Sequence, residues 1–448
     1  MALAPVPLVA RSYELASRPA ASQRLLNFFA ERLPPDTGRG AFYLKPVPGL
    51  AHYARIGQGP IAAMASIPGY LYLISGTQFY RVIEPGTTLI HLGDVGASTT
   101  PTIAVGADQV VVCVPPRAFI ADHDGGLSEI TQGAGNFPVE GVSSVATIDG
   151  YFVFTSLRGE YFFVSKLLSG GTFTGLDYAT SERRPDRVTR AIAHNGEIWL
   201  FGEVSSAVWY NAGAADFPMR ERAGSVQRFG LGASLSLCEM DGALFWLGSD
   251  RIVYRSDGYQ ARRISTHAIE EVLADYLELG NIVACAHTYE GHSFYALSLP
   301  GGVNEGRTFV FDAATGEWHE RSSGAGRWAV NCSARYGREM LLGSSADGLL
   351  YTLSPEVAVD YAGPIRRLMV LPALVTHGPR AFLSRLEVEM EVGTVGAPRT
   401  INLDWSDERE RVPEQQSPAV GVVAERLYAL NWLTCFNDAD WDEVETPT

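Results

Sequence analysis

The chain has 448 residues, a formal net charge of −15 at pH 7 and a hydrophobic content of 46%. That hydrophobic content supports a packed core and excludes a wholly disordered chain. The acidic balance disfavours non-specific binding to DNA and to anionic membranes, because both depend on Lys and Arg. No apolar run approaches the roughly 18–20 residues of a membrane span, and the first residues predict no signal peptide.

Residues 1–50 are predicted to form an N-terminal arm. Ala21–Leu33 (ASQRLLNFFAERL) suits a short helix or an extended segment, and Pro34-Pro35 stops it. The arm has too little hydrophobic patterning for a core of its own. We therefore expect it to lie against the rest of the chain.

Residues 51–360 repeat a hairpin signal, a turn glycine followed by an aromatic and aliphatic run. Asn195-Gly196 and Asp241-Gly242 are the clearest copies, because Asn-Gly and Asp-Gly suit the positive φ of tight hairpin turns. The seven turn glycines are Gly69, Gly106, Gly150, Gly196, Gly242, Gly291 and Gly337. The intervals between them are 37, 44, 46, 46, 49 and 46 residues.

Periods of about 40–50 residues with several strands each are typical of propeller blades. The predicted fold class is all-β, a β-propeller of six or seven blades with seven favoured, whose ring leaves only short protected strand edges. One helix is predicted to interrupt it at about residues 267–279. Its apolar face is formed by Ile269, Val272, Leu273 and Tyr276. Ser265 or Thr266 can cap its start, and Gly280 can end it.

Residues 361–412 are predicted to form a small antiparallel β domain, and residues 413–448 an acidic tail. Apolar residues from Leu386 to Val392 alternate with Glu387, Glu389 and Glu391. This carboxylate row suits a solvent-facing strand. In a ring of subunits it also suits the lining of a channel, where a negative wall keeps DNA from adhering.

The sequence predicts no catalytic, cofactor-binding or metal-binding residue, and therefore a protein that is not an enzyme. The nine histidines include no HExxH or HxH pattern, and the chain has neither a phosphate loop nor a GxSxG elbow. His194 and His287 precede hairpin turns and are expected to be exposed. The five widely spaced cysteines include no CxxC and are expected to be buried free thiols.

One basic run stands out in this acidic chain, and its members are Arg183, Arg184, Arg187 and Arg190. Two interpretations are open, contact with DNA phosphates and pairing with acidic residues of a neighbouring subunit. The net charge of −15 favours the second. The four arginines are therefore predicted to be subunit or partner interface residues.

Several further segments carry a likeness to known proteins: Leu25–Pro34 (LLNFFAERLP), Pro48-Gly49-Leu50, Gly196–Gly202 (GEIWLFG), Val208–Gly213, Phe245–Gly248 and Arg262–Thr266 with the following helix. In these segments the chain resembles the packaged-DNA stabilisation proteins of short-tailed phages, the tail-hub or head-closure family typified by phage P22. The resemblance covers roughly residues 20–405 and is strongest at 185–280. None of the segments is catalytic.

The resemblance implies a structural virion protein that forms a ring of six copies below the portal and adaptor ring. There it would continue the DNA channel, help to retain packaged DNA and carry needle, plug or spike proteins. Its contact with passing genomic DNA would be transient and without sequence specificity, and it would contact no membrane. It would be made in the host cytoplasm and reside in the virion tail.

Two other functions stay open at this point. Trp405-Ser406-Asp407 matches the start of the Asp-box of sialidase-like propellers, although Glu408-Arg409-Glu410 then replaces the expected Gly and Trp. The main alternative is therefore a carbohydrate-binding or glycoside-processing propeller, which would need exposed aromatics and a carboxylate pair at the propeller mouth. The other is a protein-interaction propeller of a bacterial host.

Overall fold

The computed structural model describes residues 9–17, 21–34, 41–83, 88–131, 137–174, 178–180, 186–214, 216–301, 306–361 and 363–371. The chain divides into two compact units, Met1–Pro372 and Ala373–Thr448, and every described residue belongs to the first. The predicted acidic tail and residues 372–412 of the predicted C-terminal domain therefore lie outside the described residues.

The arm is extended throughout its described part. Its four strands are β1 (Tyr13–Glu14), β2 (Ser22–Leu26), β3 (Phe28–Arg32) and β4 (Phe42–Pro46). Of the two alternatives for Ala21–Leu33, the extended one is confirmed. A further strand, β5 (Gly49–Arg55), follows directly and belongs to the propeller.

Blades 1 to 4 are antiparallel four-stranded sheets, each built from consecutive strands. Blade 1 contains β6 (Ile61–Ile67), β7 (Tyr70–Ser75), β8 (Gln78–Ile83) and β9 (Thr88–Asp94). Blade 2 contains β10 (Thr102–Val105), β11 (Gln109–Val114), β12 (Arg117–Asp122) and β13 (Leu127–Glu129). Blade 3 contains β14 (Val142–Ile148), β15 (Tyr151–Ser156), β16 (Tyr161–Val164) and β17 (Tyr178–Thr180). Blade 4 contains β18 (Val188–His194), β19 (Glu197–Gly202), β20 (Ser206–Asn211) and β21 (Met219–Glu221).

Blades 5 and 6 repeat the pattern, and blade 7 takes its fourth strand from elsewhere in the chain. Blade 5 contains β22 (Cys238–Met240), β23 (Ala243–Leu247), β24 (Val253–Asp257) and β25 (Gln260–Arg263). Blade 6 contains β26 (Val283–Tyr289), β27 (His292–Leu299), β28 (Arg307–Asp312) and β29 (Glu317–Arg321). Blade 7 contains β30 (Val330–Tyr336), β31 (Glu339–Ser344) and β32 (Leu349–Ser354).

Strand β5 completes blade 7 and closes the ring. It pairs antiparallel with β32, in a register that sets Arg55 opposite Leu349 and Gly49 opposite Ser354. The backbone N–H of Ile56 also donates to the carbonyl of Gly348 at 2.6 Å. Residues near the two ends of the propeller sequence therefore share one sheet, which removes the open edge that a linear array would leave.

The core consists of seven apolar layers among the described residues, one at each junction between neighbouring blades. Between blades 5 and 6, Phe245 stacks on Tyr295 with ring centroids 5.5 Å apart. Between blades 3 and 4, Phe162 meets Trp209 edge to face at 4.9 Å. The predicted all-β propeller is confirmed, and the described strands form the seven blades that the sequence favoured.

The hairpins between first and second strands have the geometry that the sequence predicted. Asn195 and Gly196 have φ values of 52° and 74°, and Asp241 and Gly242 have 52° and 65°. Positive φ at both central residues is the signature of the type I′ turn, whose twist matches that of the flanking strands. The regular spacing of these turns is therefore the spacing of the blades.

The helix is present but shorter than predicted, and it is α1 (His267–Asp275). Ile269 and Leu273 are buried in the layer between blades 5 and 6. Arg251 donates to the carbonyls of Ala274 (2.7 Å) and Tyr276 (2.8 Å), which satisfies the helix end before Gly280 is reached. No helix among the described residues has the length and apolarity needed to cross a membrane.

Residues after the propeller return to the arm instead of starting a separate domain. Three short strands are described there: β33 (Val359–Asp360), β34 (Gly363–Pro364) and β35 (Leu368–Val370). Strand β35 pairs antiparallel with β2, with Leu368 opposite Leu26. This pairing joins residues 368–370 to the first unit, which ends at Pro372, and a separate domain beyond it stays a prediction.

Ring closure generates a prediction about Gly348, because a Cβ atom there would lie 2.3 Å from the Ile56 carbonyl oxygen and 2.4 Å from that of Gly57. We expect Gly348→Ala to destabilise the propeller by about 1–3 kcal/mol, since backbone atoms cannot yield as a side chain can. The matched control is Gly126→Ala, where an added Cβ meets nothing within 4 Å. Urea unfolding of both variants is the measurement, and equal stability of the two would contradict the closure model.

Candidate functional site

The propeller axis holds a cavity of about 500 Å³ that is lined by residues of all seven first strands. Most of the lining is small and apolar, and its charged members are Arg190, Glu239 and Arg335. This volume lies within the range of small-molecule sites, roughly 300–1,000 Å³. The cavity is therefore far too small to pass duplex DNA.

One position recurs on the first strands and joins neighbouring blades. In six blades, one residue of the first strand pairs across the hairpin with the residue eleven positions later in the chain. We call these six residues the belt positions: Ala63, Thr102, Ser144, Arg190, Cys285 and Cys332. The N–H of Val145 in blade 3 donates to Thr102 Oγ1 at 3.0 Å. The N–H of Ala191 in blade 4 donates to Ser144 Oγ at 2.9 Å. Small polar side chains thus tie one blade to the next.

Arg190 occupies the belt position of blade 4, where its side chain lines the axial cavity. Its Nη1 donates to the carbonyl of Ser234, at 2.5 Å, in the 3-10 turn Ser234–Ser236 that leads into blade 5. Burial lowers the pKa of its guanidinium. The described contacts of Arg190 thus lie inside the propeller, on the first strand of blade 4, and its contact with a neighbouring subunit or partner stays a prediction.

The other predicted interface and channel residues have different outcomes. Arg187 is exposed and pairs with Glu203 of the same chain at 3.4 Å, so its contact with a neighbouring subunit stays a prediction. Arg183 and Arg184 lie outside the described residues, and so does the carboxylate row Glu387, Glu389 and Glu391. Nothing brings Arg187 and Arg190 together at one surface.

The thiols that line the cavity have raised pKa values. Burial raises the pKa of Cys238 to about 11 and that of Cys285 to about 12, and it raises the pKa of Cys332 as well. Because the thiolate is the nucleophile, these groups stay largely protonated at neutral pH and react slowly. Cys113 and Cys285 are buried free thiols, as predicted. Cys238 and Cys332 are free but only partly buried, and Cys435 lies outside the described residues.

A second site of interest is the docking face, where the arm covers the outer edge of blade 6. Its apolar part is the side chains of Leu25 and Phe29, which are 0% and 1% exposed. Phe29 meets Phe294 edge to face at 5.3 Å. The arm is thus anchored in the layer between blades 6 and 7, which the closing strand β5 also borders.

Asn27 joins three segments at the docking face. It is fully buried and holds the left-handed backbone conformation between β2 and β3, with φ of 58°. Its Nδ2 donates to the carbonyls of Ser322 (3.2 Å) and Arg366 (2.6 Å), and its Oδ1 accepts from the Ser322 N–H (3.0 Å). The arm, blade 6 and the segment after the propeller therefore meet at one side chain.

A charged cluster holds the start of the arm on the same face. Glu320 in β29 is 2% exposed and accepts from Arg24 Nε at 3.1 Å. Its other partner is Arg307, whose Nη2 lies 3.1 Å from both Glu320 and Glu14. The sign of the charge alternates along Arg24, Glu320, Arg307 and Glu14, so the carboxylate of Glu320 lies between one arginine of the arm and one of the blade.

His292 forms a second charged cluster on this face, between Asp312 of blade 6 and Glu31 of the arm. Its Nδ1 lies 2.8 Å from Asp312 Oδ2, and its Nε2 lies 3.0 Å from Glu31 Oε2. Burial opposes charging of the imidazole, but the hydrogen bonds to Glu31 and Asp312 outweigh it and raise the pKa of His292. The hydrogen bond from His292 is also the main reason that the pKa of Glu31 is lowered.

The two histidines expected at exposed strand ends are buried, so that prediction was wrong. His194 is 6% exposed with its Nδ1 2.9 Å from Glu239, and His287 is 2% exposed. Burial holds the pKa of His287 well below its usual value. Aromatic neighbours explain the burial, because His287 packs on Phe294 and Trp328 with centroids 5.3 and 5.1 Å away.

Sequence reasoning assigned no role to the residues that build the docking face: Glu14, Arg24, Asn27, Glu31, His292, Arg307, Asp312 and Glu320. The available signal was polar residues inside otherwise apolar strands, such as Asn27 in LLNFFAERL and Glu320 in EWHER. A polar residue in such a run is buried only when it is paired. Its partner lies about 300 residues away here and cannot be read from local pattern.

The Glu320 cluster predicts a large penalty for removing one charge. We expect Glu320→Gln to destabilise the protein by on the order of 3 kcal/mol, because it removes the buried carboxylate that bonds both Arg24 and Arg307. The control on the same strand is Glu317→Gln, whose carboxylate pairs only at 3.5 Å with the largely exposed Arg11 and should cost less than about 1 kcal/mol. Chemical denaturation measures both, and equal losses would contradict the proposed role of Glu320.

The His292 cluster predicts a pH-dependent anchor for the arm. A raised pKa means that His292 contributes fully below about pH 6.5 and that its contribution is lost as the pH rises through the raised value. A lowered pKa means that Glu31 contributes fully above about pH 4.5 and that its contribution is lost as the pH falls through the lowered value. The anchor should therefore be strongest between these two limits.

The test compares His292→Gln with the wild type in the free energy of unfolding, measured near pH 6 and near pH 9. The difference should be larger near pH 6, where the wild-type imidazole is charged. His91→Gln is the control, because His91 is exposed in blade 1 and bonds only Gln78 in the same blade. A difference that is independent of pH would contradict the charged anchor.

Comparison with solved structures gives weak likenesses. They include a computationally designed protein named Ika8 (12% identity, 68% of this chain and 99% of that chain, TM-score 0.41). They also include YCF48 bound to D1 peptide (10% identity, 69% of this chain and 97% of that chain, TM-score 0.41). A third is a chain of the mitotic checkpoint complex (10% identity, 72% of this chain and 99% of that chain, TM-score 0.45). Likenesses of this degree carry no argument about function. Among curated proteins, no match is found.

Comparison with family models gives two matches. A domain of unknown function (DUF4272) matches residues 395–444, which lie outside the described residues. The model described as bacteriophage P22 Gp10, beta-propeller, matches residues 22–358, from arm strand β2 through all seven blades. Because this match covers more than half of the chain, the protein belongs to the P22 Gp10 family of phage structural β-propellers.

Proposed function

We propose that this protein is a non-enzymatic tail hub, a ring subunit below the portal and adaptor that continues the DNA channel and helps to retain packaged DNA. The family match over residues 22–358 carries the proposal, because it includes both the arm strand and the closed propeller. The ring, the portal–adaptor contact and the attached needle, plug or spike proteins follow from the family resemblance. We propose that the ring contains six copies of the chain.

The dimensions of the propeller decide where DNA would pass in such an assembly. The axial cavity has a volume of only about 500 Å³ and is lined by the first strands of the blades. A duplex would therefore run along the axis of the ring, between copies of the chain, and not through any one propeller. With a net charge of −15, the ring would repel the DNA it surrounds and let it slide during ejection.

The carbohydrate alternative receives no support from the described part of the chain. Glycoside hydrolysis generally uses two carboxylates that face each other across the sugar. Glu239 is the one carboxylate among the described cavity-lining residues, and it pairs with His194. The described lining also contains no aromatic side chain on which a sugar could stack.

Phage particles made without this protein test the proposal. We expect heads that package DNA and then lose it, and that have no tail components below the portal, because the closure and its attachment point are both missing. The measurement is electron microscopy of the particles together with their DNA content. Supplying the wild-type chain in trans is the control and should restore full, tailed particles.

In a second experiment, the purified chain is mixed with isolated portal–adaptor complexes, and the mass of the product is measured under native conditions. A stable complex with several copies of the chain is expected. Particles that remain full and complete without the protein, but that fail to bind or digest host glycan, would overturn the hub proposal in favour of the carbohydrate alternative.

A further inference from the structure

We propose that the axial cavity binds a small oxyanion, such as phosphate or sulfate, at the guanidinium of Arg190. This proposal is independent of the proposed tail-hub function, since it concerns the interior of a single propeller. It rests on three features of the described chain: an unpaired cation, a cavity of matching size, and a belt that does not need a charge at this position.

Arg190 carries a positive charge that no described residue neutralises. Its Nη1 has a neutral partner, the carbonyl of Ser234. Its Nε is buried without a hydrogen-bond partner, and no carboxylate in the described part of the chain forms an ion pair with it. A charge in such surroundings is costly unless an opposite charge compensates it.

The cavity beside Arg190 offers room for such an anion. Its volume of about 500 Å³ exceeds that of a tetrahedral oxyanion severalfold, and Arg335 supplies a second positive charge to the lining. Glu239 is the carboxylate of the described lining, but His194 engages it. The first strands of blades 1 and 7 are largely half-buried, so that solvent ions reach the cavity.

The belt shows that joining two blades does not by itself require an arginine. Thr102 and Ser144 make the equivalent connection with one neutral hydroxyl each. Cys332 does so with its thiol, which donates to the carbonyl of Ile61 at 3.6 Å. Only at Arg190 does the belt place a planar group with several N–H donors, the geometry that recognises phosphate or sulfate.

The first test is titration of the purified full chain with sodium phosphate, sodium sulfate or sodium acetate, each against sodium chloride at equal ionic strength. Thermal unfolding should show saturable stabilisation by phosphate or sulfate beyond chloride, because a ligand that binds only the folded state stabilises it by mass action. A response to acetate alone would overturn the oxyanion assignment. Equal midpoints in all four salts would overturn the site itself.

Two variants locate the anion. Arg190→Gln should weaken phosphate binding by at least about tenfold, since it removes a charge-assisted hydrogen bond. Arg187→Gln is the control three residues away, because its exposed side chain pairs with Glu203, and it should bind as the wild type does. Equal affinities for Arg190→Gln and Arg187→Gln would overturn the proposal.

A measurement on the wild-type chain decides the question if Arg190→Gln does not fold. Cys238 and Cys332 line the cavity, whereas Cys113 is buried elsewhere. Phosphate should slow modification of Cys238 and Cys332 by a small thiol reagent, followed by peptide mass spectrometry, and leave Cys113 unaffected. Rates that are the same in phosphate and chloride would overturn the site.

Discussion

The pairing of β5 with β32 is the constraint on which the rest of this structure depends. Because the closing strand is Gly49–Arg55, the chain must cross from the arm into blade 7 before blade 1 begins. The arm is thereby held next to blade 6 and the segment after the propeller. Closure of the ring and docking of the arm are two consequences of one topology.

The docking face turns that topology into a specific contact. Apolar anchors such as Leu25 supply burial, while Asn27 and the carboxylate of Glu320 fix the register between segments about 300 residues apart. Buried charges that are fully paired add little net stability but penalise any misplaced partner. The arm therefore has one favourable position, which would suit the ring subunit proposed above.

The sequence predicted the propeller because local signals carry it. Turn pairs such as Asn195-Gly196 and Asp241-Gly242 repeat at the spacing of the blades and have the positive φ values that such turns require. Arm docking was beyond reach, since it depends on pairing between distant residues. The axial position of Arg190 follows only from aligning the blades, which puts it at the same position as Thr102 and Cys332, two residues that line the axial cavity.

The central claim is that this chain surrounds DNA as a ring, with no DNA passing through its own propeller axis. The most direct measurement is an electron microscopy reconstruction of the head–tail junction in DNA-filled particles. The proposed assembly predicts a ring of these propellers below the portal, with duplex density on the ring axis and none along the axis of any single propeller. Duplex-wide density through a single propeller, or a junction without this fold, would contradict it.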